Sequence, residues 1–303
     1  MKIASVTMKT VQNAETNFKV IEGYVKAASA EGVDLIVFPE GALMGYPSDM
    51  RMADPNELSY LHEASEVCIG DEKGEYVNKV IALAKEYNIY IVTGITERDP
   101  VYYDIIYNSM ILVGPEGYYG NYRKVCPLDE FTVFDPGREY HVYKTPIGKI
   151  GLGVCYDVAF PEAYREMALM GADIVCAGVQ WGLSCENPDN ITDADLSYRF
   201  YDVFGKSRAA ENGIYVVISN SIRDTNALCA HSRVIDPVGQ VLADTGYAEG
   251  MAVAKTDVQK EIISAKRGYE WYTLMMLKDR QPSAYKLLCS GTRYGQVSEE
   301  ALG

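Results

Sequence analysis

The stretch "VDLIVFPE" (33–40) most constrains the fold of this chain. Its apolar run, "LIVF" (35–38), is too short for a helix, stopped by Pro39 and closed by Glu40. A strand with one wet face alternates, whereas a strand apolar at every position is buried on both faces. That is the signature of a parallel sheet covered by helices. "GLGVC" (151–155), "DIVCAGV" (173–179) and "IYVVIS" (214–219) read the same way. Between such runs the apolar residues fall near helical spacing: about 15–30, about 74–87, from about 161 with Pro161 at a favourable first-turn position, and around 194–212. "KIASVTM" (2–8) and "IYIVTGITE" (89–97) read as strands.

Three hairpins are marked by proline–glycine turn chemistry: "GPEG" (114–117), "TPIG" (145–148) and "DPVG" (236–239). Two strand–helix–strand halves with hairpin extensions, and no linker between them, predict one continuous α/β domain of mixed sheets covered by helices over 1–267. The tail 268–303, containing "GYEWYTLMMLKDRQPSAYKLL", is aromatic and apolar. It fits a docked terminal segment or, preferentially, an arm packed on another subunit.

With 28 Lys+Arg against 42 Asp+Glu among 303 residues, the formal charge of −14 disfavours nucleic-acid backbones and anionic membranes as partners. No run approaches a membrane span, and the N-terminus lacks the apolar stretch of a signal peptide. The seven cysteines (68, 126, 155, 176, 185, 229, 289) form no C-x-x-C pair, so neither a zinc site nor a disulfide framework is indicated. A reducing, cytoplasmic location is the expectation. The three histidines (62, 141, 231) show no ligand spacing, so no metal or organic cofactor is expected.

Three strand ends carry ionisable side chains: Glu40, Lys124 at the end of "GNYRK", and Cys155. Singly, each has an ordinary reading, as a cap, a solvated charge and a core thiol. Together they supply a carboxylate base, a cation for an oxyanion and a nucleophile, at the strand ends where α/β sites collect. Asp157 and Glu162 read as residues that fix the turn and the helix start.

Three blocks carry a resemblance: "DLIVFPEGALMGYP" (34–47), "NYRKVCPLDEFTVFDPG" (121–137) and "GKIGLGVCYDVAFPEAYREMALMGADIV" (148–175). In that order they resemble the nitrilase superfamily, the carbon–nitrogen hydrolases. Weaker likeness in "YNSMILVGPEG" (107–117), "SRAAENGIYVVISN" (207–220) and "HSRVIDPVGQVL" (231–242) extends it over about 1–257. The resemblance implies a four-layer αββα sandwich, a Glu40–Lys124–Cys155 triad and pairing into a homodimer or higher homo-oligomer. It also implies that Glu130 orients substrate and lysine, although a surface-loop carboxylate is its ordinary reading. Tyr46, Tyr156, Gln180 and Trp181 are pocket candidates, with the Tyr156 backbone N–H placed for an oxyanion; Trp181 equally suits an interface.

Two departures bear on substrate. Cys126 stands where many relatives carry histidine. Ala159 stands where relatives acting on carboxylated amides carry arginine, which favours a neutral acyl group unless Arg199, Arg223 or Arg233 substitutes. The expected activity is amidase chemistry on a small primary amide, releasing ammonia through a thioester. The alternatives are an N-carbamoyl amidohydrolase, then a nitrilase or a non-catalytic scaffold.

Overall fold

The computed structural model describes residues 1–48, 54–69, 73–182, 195–222, 230–267, 274–289 and 291. Its first half runs β1 (Lys2–Lys9), α1 (Ala14–Ala30), β2 (Leu35–Val37), α2 (Pro55–Ala64), α3 (Glu75–Tyr87), β3 (Tyr90–Arg98), β4 (Ile106–Gly114) and β5 (Gly117–Arg123). The second half runs β6 (Val142–Thr145), β7 (Gly148–Val154), α4 (Pro161–Leu169), β8 (Ile174–Val179), α5 (Leu196–Ala210), β9 (Tyr215–Ile222), β10 (Arg233–Ile235), β11 (Val241–Asp244), β12 (Gly250–Lys255) and α6 (Val258–Arg267).

These strands form two mixed sheets. The first has the order β5-β4-β3-β2-β1-β12, parallel through β3-β2-β1 and antiparallel at both flanks. The second has the order β6-β7-β8-β9-β10-β11, parallel through β7-β8-β9. A two-residue parallel pairing, Met8 with Ser221 and Lys9 with Ile222, joins them.

The even burial of "LIVF" now has its cause. Leu35 and Val37 face a core shared with Ile150, Leu152, Val154 and Ile174 of the second sheet. Ile36 and Phe38 face the opposite core, with Ile21 and Val25 of α1 and Val77 and Val80 of α3. Alternating residues thus enter different cores, and each such side chain contributes about 1.5–3 kcal/mol by leaving water. On the far side, Ala163, Tyr164 and Met167 of α4 and Tyr201 and Ala209 of α5 cover the second sheet. The result is helix, sheet, sheet, helix: the αββα sandwich.

Local chemistry sets the element ends. Asn13 caps α1 by accepting from the Thr16 N–H at 2.8 Å, and Pro161 opens α4. The run 33–40 is strand only over Leu35–Val37; from Phe38 the chain turns, with Gly41 at φ +60° and the Gly45 N–H donating to the Gly41 carbonyl at 2.7 Å. The sequence reading missed α2, α6 and β12. "GMAVAK" makes the last strand because it pairs antiparallel with Lys2–Thr7 of β1, a long-range register with no local signature. Among the described residues no helix is long and apolar enough to cross a membrane. Of the tail, 274–289 is described, and Leu277 packs against the core.

Candidate active site

Glu40, Lys124 and Cys155, far apart in sequence, meet at the carboxyl ends of β2, β5 and β7. Each arrives there for a local reason.

Glu40 follows Pro39 in the turn after β2. That turn is gripped between glycines of the two sheets. A Cβ on Gly94 of β3 would collide with the Pro39 carbonyl and the Gly41 N–H, and one on Gly178 of β8 would lie 2.6 Å from the Glu40 nitrogen. Only glycine lets both strands approach so closely. Lys124 follows β5, where its N–H donates to the Asn108 carbonyl at 2.9 Å and its carbonyl accepts from Gly137 at 2.7 Å. Cys155 is the first residue after β7, opening a 3₁₀ turn over Cys155–Ala159. Its φ of +43° is left-handed, which costs a side-chain-bearing residue on the order of 1–2 kcal/mol and must be held by its surroundings.

The polar network is tight. The Lys124 ammonium donates to Glu40 Oε1 at 2.9 Å and also to Glu130 Oε1. Asn108 Nδ2 donates to Glu40 Oε1 at 2.7 Å and to Glu130 Oε2 at 3.1 Å. Glu40, Lys124 and Glu130 are each no more than 2% exposed, so Lys124 is no solvated strand-end charge and Glu130 no surface-loop carboxylate. Asp129 beside it is exposed. Glu40 Oε2 is buried and has no hydrogen-bond partner among the described residues.

Burial pushes the Cys155 thiol well above the usual range, and the Glu40 charge adds to this against the opposing pull of Lys124. Burial also raises Glu130, opposed by Lys124. Burial works against the Lys124 charge, but the carboxylates of Glu40 and Glu130 hold it firmly protonated. The resting arrangement is therefore a neutral thiol beside a fixed cation and a carboxylate with one oxygen to spare.

The pocket candidates divide. The Tyr46 hydroxyl donates to Glu130 and faces Glu40 and Cys155. Gln180, just after β8, donates from Nε2 to the Glu40 carbonyl at 3.0 Å, and its backbone N–H reaches the Cys155 sulfur. Its Oε1 is buried without a partner among the described residues. The Tyr156 ring packs edge-on against Phe160 at 4.9 Å. Trp181 turns towards α5: its indole N–H donates to the Ser197 carbonyl at 3.0 Å, and its ring meets Tyr201 and Phe204. Of the arginines, Arg233 is buried and held by Asp202, Asp244 and Tyr198, Arg199 is exposed, and Arg223 lies outside the described residues.

Asp157 does more than fix a turn. Its fully buried carboxylate accepts from the Val154 N–H at 2.9 Å, the Tyr122 hydroxyl at 2.8 Å and the Cys126 N–H at 3.0 Å. Burial lifts its pKa to about 6 against those donors, with Tyr122, Lys124, Cys126, Tyr140 and Tyr164 as the titratable groups around it. Arg208 of α5 holds the other side of the turn, donating to the Val158 and Ala159 carbonyls, each at 3.0 Å. Burial pushes Cys126 up to about 11, with its sulfur 3.7 Å from the Tyr140 hydroxyl. Asn108, Tyr122 and Arg208 escaped the sequence reading. Asn108 sits at the polar start of the apolar run of β4, the one local hint of its role; the other two have none.

A cysteine on a strained strand-to-turn junction, a buried carboxylate and a buried lysine are together the groups that thiol-based acyl transfer requires. The chain belongs to the carbon–nitrogen hydrolase family, whose model matches residues 2–267. It is 30% identical to a probable nitrilase of Schizosaccharomyces pombe, over 95% of this chain and 98% of that one. It is 27% identical to an omega-amidase of Homo sapiens, over 78% and 82%. A carbon–nitrogen hydrolase of Helicobacter pylori superposes with a TM-score of 0.79 at 20% identity, covering 96% of this chain and 98% of that one. A mutant amidase from Nesterenkonia sp. AN1, TM-score 0.69 at 20% identity over 94% and 95%, shows the acetamide moiety of fluoroacetamide added covalently at its active-site cysteine. The protein is thus a carbon–nitrogen hydrolase of the nitrilase superfamily.

Proposed function

We propose that this enzyme hydrolyses a small primary amide to a carboxylic acid and ammonia through a thioester on Cys155. The observation that carries the reading is the division of labour within Glu40. Oε1 is held by Asn108 and Lys124, while Oε2 is buried and unpartnered among the described residues. A buried acceptor left open costs about 1–3 kcal/mol, which suits an oxygen that must receive a proton.

As Cys155 Sγ attacks the carbonyl carbon, its proton passes to Glu40. The developing oxyanion is met by the Lys124 ammonium and the Tyr156 backbone N–H. Collapse breaks the C–N bond, and the proton on Glu40 leaves with the nitrogen as ammonia. Water then attacks the thioester with Glu40 again as base, releasing the acid and restoring the thiol. Glu130, tied to the same lysine and asparagine, keeps Lys124 pinned and charged.

Two features favour a primary amide. Gln180 Oε1 is a second acceptor unpartnered among the described residues, on a residue that touches both Glu40 and Cys155, and an –NH2 group has two N–H donors to satisfy. Ala159 provides no guanidinium for a carboxylate, which favours a neutral acyl group. An N-carbamoyl substrate presents the same –NH2 and is the second reading. A free-thiol nucleophile suits a reducing compartment, so we place the enzyme in the cytoplasm. Leu196, Phe200 and Val203 form an exposed apolar stripe at helical spacing on α5, which supports pairing with a second copy.

Ammonia release from a panel of short amides, carbamoyl compounds and nitriles tests the reading, with Cys155→Ala as control. Turnover of amides with stoichiometric ammonia is expected. Carbon dioxide from a preferred carbamoyl substrate would transfer the assignment to the second reading.

A further inference from the structure

Asp157 touches no group that the proposed reaction transforms, yet it joins the segments that carry two of the reacting groups. Oδ2 accepts from the N–H of Val154, the residue before the nucleophile, and from the Tyr122 hydroxyl, two residues before the lysine. Oδ1 accepts from the N–H of Cys126, two residues after the lysine. Tyr122 closes the tie, its oxygen accepting from the Val125 N–H at 3.1 Å. Three donors thus converge on one buried carboxylate, two from the lysine segment and one from the cysteine turn.

Only the ionised carboxylate can accept all three. An amide or a protonated acid carries a donor of its own, which here would face another donor. The Cys155 backbone adds a reason for such a tie. At φ +43° the turn is not self-supporting, and the N–H side of it is held by Asp157 as the carbonyl side is by Arg208.

We propose that Asp157 is a positioning residue that locks the cysteine turn to the lysine segment, so that Sγ of Cys155 and Nζ of Lys124 converge on one carbonyl group. The inference rests on the reading of Cys155 as nucleophile and Lys124 as oxyanion partner. Loss of the tie misplaces the transition state rather than the bound amide. It therefore lowers kcat while KM moves little.

The test compares wild type, Asp157→Asn, Tyr122→Phe, the double variant and Cys155→Ala. The measurements are kcat and KM on a short primary amide, the rate of Cys155 alkylation by iodoacetamide located by peptide mass, and urea unfolding. In Asp157→Asn, kcat is expected to fall by about 30-fold or more, and Cys155 alkylation by about tenfold, with KM within about threefold. Tyr122→Phe, which keeps the carboxylate and loses one strand of the tie, should lower kcat by about three- to tenfold. The double variant should be no slower than Asp157→Asn alone, because both act through one tie.

Wild-type kcat in Asp157→Asn with reduced unfolding stability would make the residue structural only and overturn the proposal. So would independent, multiplying losses in the double variant. Tyr122→Phe decides the matter where Asp157→Asn does not fold, since an unchanged kcat in folded Tyr122→Phe also overturns it. Cys155→Ala separates the layers. Turnover surviving there would sink the triad itself, whereas a dead Cys155→Ala beside an unaffected Asp157→Asn sinks the positioning role alone.

Discussion

Lys124 donates to Glu40 Oε1 at 2.9 Å and leaves Oε2 of the same carboxylate open in a buried site. One oxygen is spent on holding the carboxylate in place, and the other is the one proposed to move protons. Asn108 reinforces the division by donating to the same Oε1.

Removing the spare oxygen's basicity should therefore stop proton transfer without disturbing the lattice of donors. Glu40→Gln is expected to lower kcat by about 100-fold or more at nearly unchanged stability. Steady-state kinetics with urea unfolding checks it, and near-wild-type turnover would mean that another group is the base.

Lys124→Met should have a different signature. It leaves Glu40 and Glu130 buried together without their counter-charge, and breaking such an arrangement typically costs about 3–5 kcal/mol. Both stability and turnover should fall, and one carboxylate of the pair should hold a proton near neutral pH. Chemical denaturation and a kcat–pH profile measure the two effects.

Cys155 is buried with a raised thiol, whereas Cys289 is exposed. Simple labelling speed therefore does not identify the nucleophile. Substrate protection does: a primary amide should block iodoacetamide modification of Cys155 and leave Cys289 modification unchanged. Peptide mapping with and without substrate reads this, and protection of Cys126 in place of Cys155 would reassign the nucleophile.

Gly178 was not singled out by the sequence reading, yet its missing Cβ makes the Glu40 turn possible. Gly178→Ala would set a methyl 2.6 Å from the Glu40 nitrogen and 2.8 Å from the Met110 sulfur. Overpacking of this kind costs about 1–3 kcal/mol, and here the displaced segment carries the proposed base, Glu40. A loss of kcat larger than the thermal destabilisation explains is expected, and unaltered turnover would show that the turn relaxes without moving Glu40.

Asp157 makes a prediction in pH. Its folded pKa of about 6 lies above the ordinary carboxylate value of about 3.9, so between those values the folded state keeps a proton that the unfolded chain has released. Its contribution to stability is then fully present near pH 4 and is lost as pH rises towards about 6. The tie needs the carboxylate, so turnover should rise over the same window in which this contribution falls. Glu130, raised by burial, acts on stability with the same sign, so the quantity to measure is the wild-type curve minus that of Asp157→Asn.

The amino-acid sequence by itself determined the class of fold, because an apolar run such as "LIVF" can be buried on both faces only between two covering layers. It also singled out the residues proposed to carry the chemistry, since a glutamate, a lysine and a cysteine each stand at or just past a strand end within a recognisable block. Neither inference needs distances. Tertiary structure decided everything that depends on which strand ends come together. Asn108, silent in its own segment, becomes the donor shared by Glu40 and Glu130 because β4 lies beside β3 and β5. Trp181 turns towards Ser197 because α5 covers the second sheet there. Asp157 looks local, two residues past the nucleophile, but its partners Tyr122 and Cys126 arrive from another strand and its loop. Propensity and periodicity act over a few residues, while the donors that pin a buried carboxylate come from wherever the fold closes around it.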